Sequence, residues 1–347
     1  MSNSGEKVIV VSSSTLRAAP GPRGSRDTVP PRRRRATSDG GFSRVFRWAA
    51  TGSGVLLLLV LAAVAVFLVV KGWAAFTASD ATLQTEGNLP AGVGNLAEYI
   101  GPLIFGTLVA AALALAMATP VAVGIALFVS HYAPRRIAGA VGFVIDLLAA
   151  IPSVVFGLWG AQLLAPRIAP LWQWVADVLS AIPGVTVTAT ATGRSMATTA
   201  LVLAIMILPI ITAVSREVFK QTPRLHEEAA LALGATRWEV IRTAVLPFGR
   251  SGVISAAMLG LGRALGETMA VLMVLSTSTG AGISFQIFDS GVLQTIAANI
   301  AAKFPDSSGL AVNTLIATGL ALFVITMAVN MVARWIVSRR HDFSGAN

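Results

Sequence analysis

Three ionisable side chains stand inside stretches that are otherwise soluble in lipid. They are Asp146 in "FVIDLLAAI", and Arg263 and Glu267 in "GLGRALGETMAVLMVL", residues 260–275. A charge at the centre of a bilayer costs about 3 kcal/mol on insertion scales, so such residues are expected to face the bundle interior or a wet cavity. Arg263 and Glu267 are four residues apart, which on a helix predicts an i,i+4 ion pair that satisfies both groups. A second reading gives the guanidinium, with its planar donor fork, to an incoming oxyanion, and makes Glu267 the orienting or gating partner. Helical spacing leaves both readings open.

The charge sum adds a constraint. Asp146 and Glu267 outnumber Arg263, so this chain alone presents a net-negative interior to an anion. Burial raises the pKa of a carboxyl and could neutralise one of them. Basic groups on a neighbouring subunit could serve equally, which predicts a pathway at the interface of two such subunits. Gly260, Gly262 and Gly266, with Ala257 and Ala264, supply the small surfaces that let helices approach closely.

The elements that carry these residues follow from composition. The 347 residues are 55% hydrophobic and 12% charged, far below the roughly 25% charged residues of soluble domains. This is an all-α polytopic membrane protein. Six apolar runs, at about 51–73, 103–130, 137–164, 197–215, 252–277 and 311–335, approach or exceed the ~20 residues that a span requires. Pro120 and Pro152 kink spans without excluding them. Residues 1–48 are rich in Ser, Pro, Gly and Arg and lack an apolar period, which predicts a disordered basic tail that holds the N-terminus inside.

Lysine and arginine set the orientation. The tail carries ten, the 131–136 turn two, the 216–250 loop six and the C-terminus three, against Lys71, Arg167, Arg194 and Lys303 in the remaining loops. Both termini are therefore expected in the cytoplasm. Trp73, Trp172 and Trp174 are interface candidates, and "PLWQWVADVLSAIPG" (170–184) fits an amphipathic helix on the outer membrane surface.

The loop "QTPRLHEEAALALGATRWEVIRTAVLPF" (221–248) is longer than a connector needs. Thr222 can cap a helix that begins at Pro223. Leu225, Ala229 and Ala232 recur at helical spacing. Gly234 stands where a left-handed turn ends that helix. Thr236-Arg237-Trp238-Glu239 is a capping box that starts a second helix. A rigid helix, glycine turn and helix just below the membrane is suited to transmitting a push from a soluble partner.

Glu228 to Pro247 resembles the EAA loop of ABC importer permeases. Glu228, Ala229, Ala230, Gly234, Leu246 and Pro247 fit at the family's spacing, with Ala244 in place of the usual isoleucine. Within that family, "DLLAAIPSVVFGLWG" (146–160) and "GRALGETMAV" (262–271) resemble the PstC-type permeases of phosphate-specific importers, over about residues 95–340. The resemblance implies a type I importer fold with a five-helix core, in the bacterial cytoplasmic membrane, moving inorganic phosphate inward. It implies a loop that docks on an ATP-binding subunit dimer. The other implied partners are a second, PstA-like permease and an extracytoplasmic phosphate-binding protein. Arg263, Glu267 and Asp146 would then line the transport pathway.

Other chemistries are excluded by the residues themselves. None of Lys7, Lys71, Lys220 and Lys303 follows a glycine, so no phosphate-cradling Gly-Lys-Ser/Thr loop exists, and ATP hydrolysis belongs to another subunit. "HEEAA" (226–230) lacks the second histidine of a zinc protease, and Gly260, Gly262 and Gly266 do not form a dinucleotide fingerprint. The chain has no cysteine. No cofactor, metal, nucleic-acid partner or enzymatic activity is expected. The same fold could serve another oxyanion such as molybdate or sulfate, or a non-transporting scaffold that reports phosphate status.

Overall fold

The computed structural model describes residues 41–90, 92–184, 186–275 and 282–338. The basic segment 1–40 and the last residues of the expected 252–277 span lie outside them. The chain divides into two units, Met1–Leu58 and Leu59–Asn347. The first unit's described part belongs to helix α1 (Gly41–Thr77). Residues 41–48, expected in the unstructured tail, are helical, because no proline interrupts "GFSRVFRWAA" and its residues continue the register.

Among the described residues, the second unit is built of helices and the loops that join them, with no strand. The helices are α2 (Asp80–Glu86), α3 (Leu96–Leu127), α4 (Arg135–Ala149), α5 (Ser153–Trp159), α6 (Ala165–Ser180) and α7 (Met196–Lys220). They are followed by α8 (Arg224–Ala232), α9 (Arg237–Val240), α10 (Leu246–Gly266), α11 (Met269–Val274), α12 (Ile296–Lys303) and α13 (Leu310–Ser338). Wide π turns over Phe128–Tyr132, Gly160–Leu164 and Ile241–Val245 join α3 to its turn, α5 to α6 and α9 to α10. Among the described residues, six helical runs are long and apolar enough to cross a membrane.

The centre is α3 against α7. Ala110, Ala114 and Ala118 of α3 share one core with Leu203, Ile207 and Ile211 of α7 and Ala256 and Ala264 of α10. Between membrane helices there is little hydrophobic drive, so close contact through small residues supplies the attraction by van der Waals packing. A methyl on Gly260 would lie 2.9 Å from Ile211, which shows how near α10 comes to α7.

Two spans are broken. The span expected over 137–164 with a kink at Pro152 is broken there: the helix stops at Ala149 and resumes at Ser153, because Pro152 cannot donate to the ladder and turns the chain with φ −59° and ψ 140°. By length and hydropathy the apolar run here is Ser153–Ser180. Residues 170–180, expected as a separate surface helix, continue that run. Within it Trp172 turns inward, its Nε1 donating to Thr198 Oγ1 at 2.8 Å, while Trp174 stays exposed. The second break interrupts the 252–277 span at Glu267 and Thr268, between α10 and α11.

Candidate functional site

The break after α10 decides what Arg263 and Glu267 do. Glu267 leaves the helix with φ −71° and ψ 124°, extended backbone that carries it off the face shared with Arg263. The expected i,i+4 ion pair does not form. Glu267 Oε1 accepts a hydrogen bond from the Ala270 backbone N–H at 3.2 Å, and thereby caps α11. A carboxylate there satisfies one of the orphan donors of a helix start. At the other end of α11 the Arg194 guanidinium donates to the Met273 carbonyl at 2.8 Å. This six-residue segment is thus held at both ends, by an acidic side chain at its start and a basic one at its end, each complementing the helix dipole.

Arg263 is exposed on α10 and forms no ion pair with any carboxylate among the described residues. Asp146 is exposed on α4, which packs on α7, and is not brought to Arg263. Both were expected to face the bundle interior; that interior is filled by alanine and branched aliphatic side chains, and the charges lie on the outer surface of the chain. Only Glu267 is half-buried. Gly262 and Gly266 have open space where a side chain would be, whereas Gly260 is packed against α7. The small-residue stripe therefore divides: Gly260 faces α7 within this chain, whereas Gly262 and Gly266 face open space.

The segments after the two breaks pack side by side. A methyl on Gly157 of α5 would lie 2.8 Å from Ala270 Cα, and one on Gly160 would lie 3.1 Å from a Val274 methyl. Glycine at 157 lets α5 touch α11, and glycine at 160 lets the π turn after α5 approach Val202 of α7, which lies 2.6 Å from such a methyl. On the other side of the first break, α4 approaches α7 so closely that a methyl on Gly142 would meet a terminal nitrogen of Arg216. Arg216 is a half-buried cation that composition alone does not single out, and its Nε has no hydrogen-bond partner.

The 221–248 loop forms a second site. Helix α8 begins one residue later than expected: Pro223, not Thr222, occupies the cap position, and Thr222 is buried with its hydroxyl unpartnered. Gly234 adopts φ +84° as the turn requires. The Thr236–Glu239 capping box is complete, with Glu239 Oε2 accepting from Thr236 N at 2.7 Å. No residue of α8 is buried, and Leu225, Leu233 and Trp238 are 78%, 90% and 57% exposed, which leaves the apolar positions of the loop uncovered. Ile241 and Val245 instead anchor the loop in a small core with Ala126 and Leu127 of α3 and Phe219 of α7. Glu227 of α8 also reaches His131, at 3.6 Å, a pairing that no local spacing reveals because the partners come from different loops.

Residues 121–342 match the family described as "Binding-protein-dependent transport system inner membrane component". The chain is 43% identical over 300 residues to the phosphate transport system permease protein PstC 2 of Mycobacterium tuberculosis, across 84% of this chain and 91% of that protein. It is 37% identical over 341 residues to PstC of Mesorhizobium japonicum, across 96% of this chain and all of that protein. Among solved structures, a bacterial ABC transporter involved in the import of the acidic polysaccharide alginate superposes with a TM-score of 0.53 at 16% identity. That match covers 85% of this chain and 99% of its counterpart, and it is a likeness of fold.

Proposed function

The chain belongs to the binding-protein-dependent transport system inner membrane component family, and from that membership we propose that it is the membrane-spanning permease subunit of an ABC importer for inorganic phosphate. The carrying observation is its likeness, at 37–43% identity over most of its length, to phosphate transport permeases. It is a multi-pass protein of the bacterial cytoplasmic membrane with both termini inside, an orientation supported by the lysine and arginine distribution of its loops. It hydrolyses no ATP; an ATP-binding subunit dimer does so below it.

Arg263 is the group that meets the anion. Its guanidinium is exposed and carries no ion pair among the described residues, and the nearby carboxylate of Glu267 is engaged by the Ala270 N–H. The route runs along the face where Gly262 and Gly266 lie open, against a second, PstA-like permease whose basic groups offset the carboxylates of this chain. Asp146 stands on α4, apart from Arg263, and contributes charge to the route rather than a direct contact. The helix breaks at 150–152 and 267–268 are places where each span can bend without losing further hydrogen bonds, which suits alternating access. Outside, the loops receive an extracytoplasmic phosphate-binding protein.

Coupling uses the 221–248 loop. Glu228, Ala229, Ala230 and Gly234, together with the exposed Leu225 and Leu233, form the face that enters the ATP-binding subunit. Leu246 and Pro247 join that loop to α10. Uptake of labelled phosphate by proteoliposomes holding the assembled importer, with loaded binding protein outside and ATP inside, tests the reading. Uptake that excess molybdate and sulfate do not displace supports it. Displacement by either anion at phosphate-like concentrations transfers the assignment to that oxyanion.

A further inference from the structure

The coupling loop meets the spans in two ways. Its second half is held by apolar packing of Ile241 and Val245 against α3 and α7. Its first half, α8, has no buried residue. Among the described residues, the approach of Glu227 Oε1 to His131 Nε2, at 3.6 Å and an ion pair when the imidazole is protonated, ties an α8 side chain to α3 through the π turn that ends it. The two side chains are only 15% and 29% exposed, so water screens them less than it does a surface pair such as Lys220–Glu217, at 50% and 63%.

The surroundings of His131 orient its ring. Ser130 Oγ lies 2.7 Å from the Ala126 carbonyl and 2.7 Å from His131 Nδ1. A hydroxyl has one proton, and the carbonyl can only accept, so the hydroxyl donates to Ala126 and accepts from Nδ1–H. Nε2 then faces the Glu227 carboxylate. A proton on Nε2 makes the contact attractive. The serine also ties the ring to the last turn of α3, so a displacement of Glu227 acts on that helix and not on a free side chain.

We propose that His131 and Glu227 are positioning residues of the transport cycle: the strut through which movement of α8, driven by the ATP-binding subunits, reaches α3 and the packed α3–α7 centre. The proposal rests on the importer reading above. Without the strut the apolar half of the loop still docks, so the complex assembles and hydrolyses ATP while α8 moves with less effect on the spans.

The test uses the complete importer in proteoliposomes and reads phosphate moved per ATP hydrolysed, together with co-purification of the ATP-binding subunit. Glu227→Gln and His131→Gln are each expected to retain assembly and lower that ratio about fivefold, the low end of coupling between sites. The charge-reversed double variant, His131→Glu with Glu227→Lys, is expected to recover it to within about twofold of wild type. A wild-type ratio in both single variants, or a reversed pair no better than either single variant, overturns the strut. Loss of assembly in both single variants also overturns it, in favour of a purely structural tie. Failure of the wild-type complex to move phosphate at all condemns the importer reading instead.

Discussion

Glu267 Oε1 accepts from the Ala270 backbone N–H at 3.2 Å, so the carboxylate that sequence spacing assigns to Arg263 belongs to the start of α11. This one bond separates two charges that an unbroken helix would have joined. It leaves the guanidinium of Arg263 available on the outer face of α10.

The separation is measurable as additivity. In a double-mutant cycle of Arg263→Gln and Glu267→Gln, read as unfolding free energy in detergent, the two changes are expected to add to within about 0.5 kcal/mol. A coupling of about 1 kcal/mol or more would mean that the pair forms after all.

Glu267→Leu removes the cap of α11 and is expected to cost about 1 kcal/mol of stability, in the range of lost caps. Glu267→Gln keeps an oxygen that can accept from Ala270 N–H and should cost only a few tenths of that. Equal losses of melting temperature in the two variants would contradict the capping role.

The glycines divide by what faces them. Gly157→Ala places a methyl 2.8 Å from the Ala270 backbone, and overpacking of this kind is expected to cost about 1–3 kcal/mol. Gly262→Leu meets open space in this chain; its isolated stability should be unchanged while recovery of the second permease in co-purification falls. A stable Gly157→Ala, or a Gly262→Leu that destabilises the lone chain, would contradict the assignment of faces.

In the coupling loop, Leu233→Arg alters a side chain that is 90% exposed. The folded chain should keep its melting temperature and lose the ATP-binding subunit in pull-down. Gly234→Ala, at φ +84°, is expected to lower stability by about 1 kcal/mol, because alanine is strained in that region. Retention of the subunit by Leu233→Arg would move the docking face elsewhere.

How much of this was legible beforehand depended on the range of the interaction. The Thr236–Glu239 capping box and the left-handed Gly234 are local devices whose partners lie within a turn, and they stand where the sequence places them. Apolar runs near the length of a bilayer likewise marked helices. Hydropathy does not show the breaks, because it averages over a window and does not register where the ladder stops. Pro152 was visible as a kink, but nothing in "RALGETMA" distinguishes a continuous helix from one that ends at Gly266 and restarts at Met269. Once that break exists, the i,i+4 rule fails for Arg263 and Glu267. The contacts of Gly157 with Ala270 and of His131 with Glu227 join distant parts of the chain, and only the fold reveals them.

The central claim, that Arg263 is free to hold the transported anion, is tested most directly by phosphate uptake in the assembled importer carrying Arg263→Ala. Charge-assisted hydrogen bonds of a guanidinium to phosphate oxygens contribute about 1.5–3 kcal/mol. Uptake is therefore expected to fall by roughly 10- to 100-fold while both permeases and the ATP-binding subunits still co-purify. Normal uptake from Arg263→Ala, or a loss that only tracks failure of the complex to assemble, would contradict it.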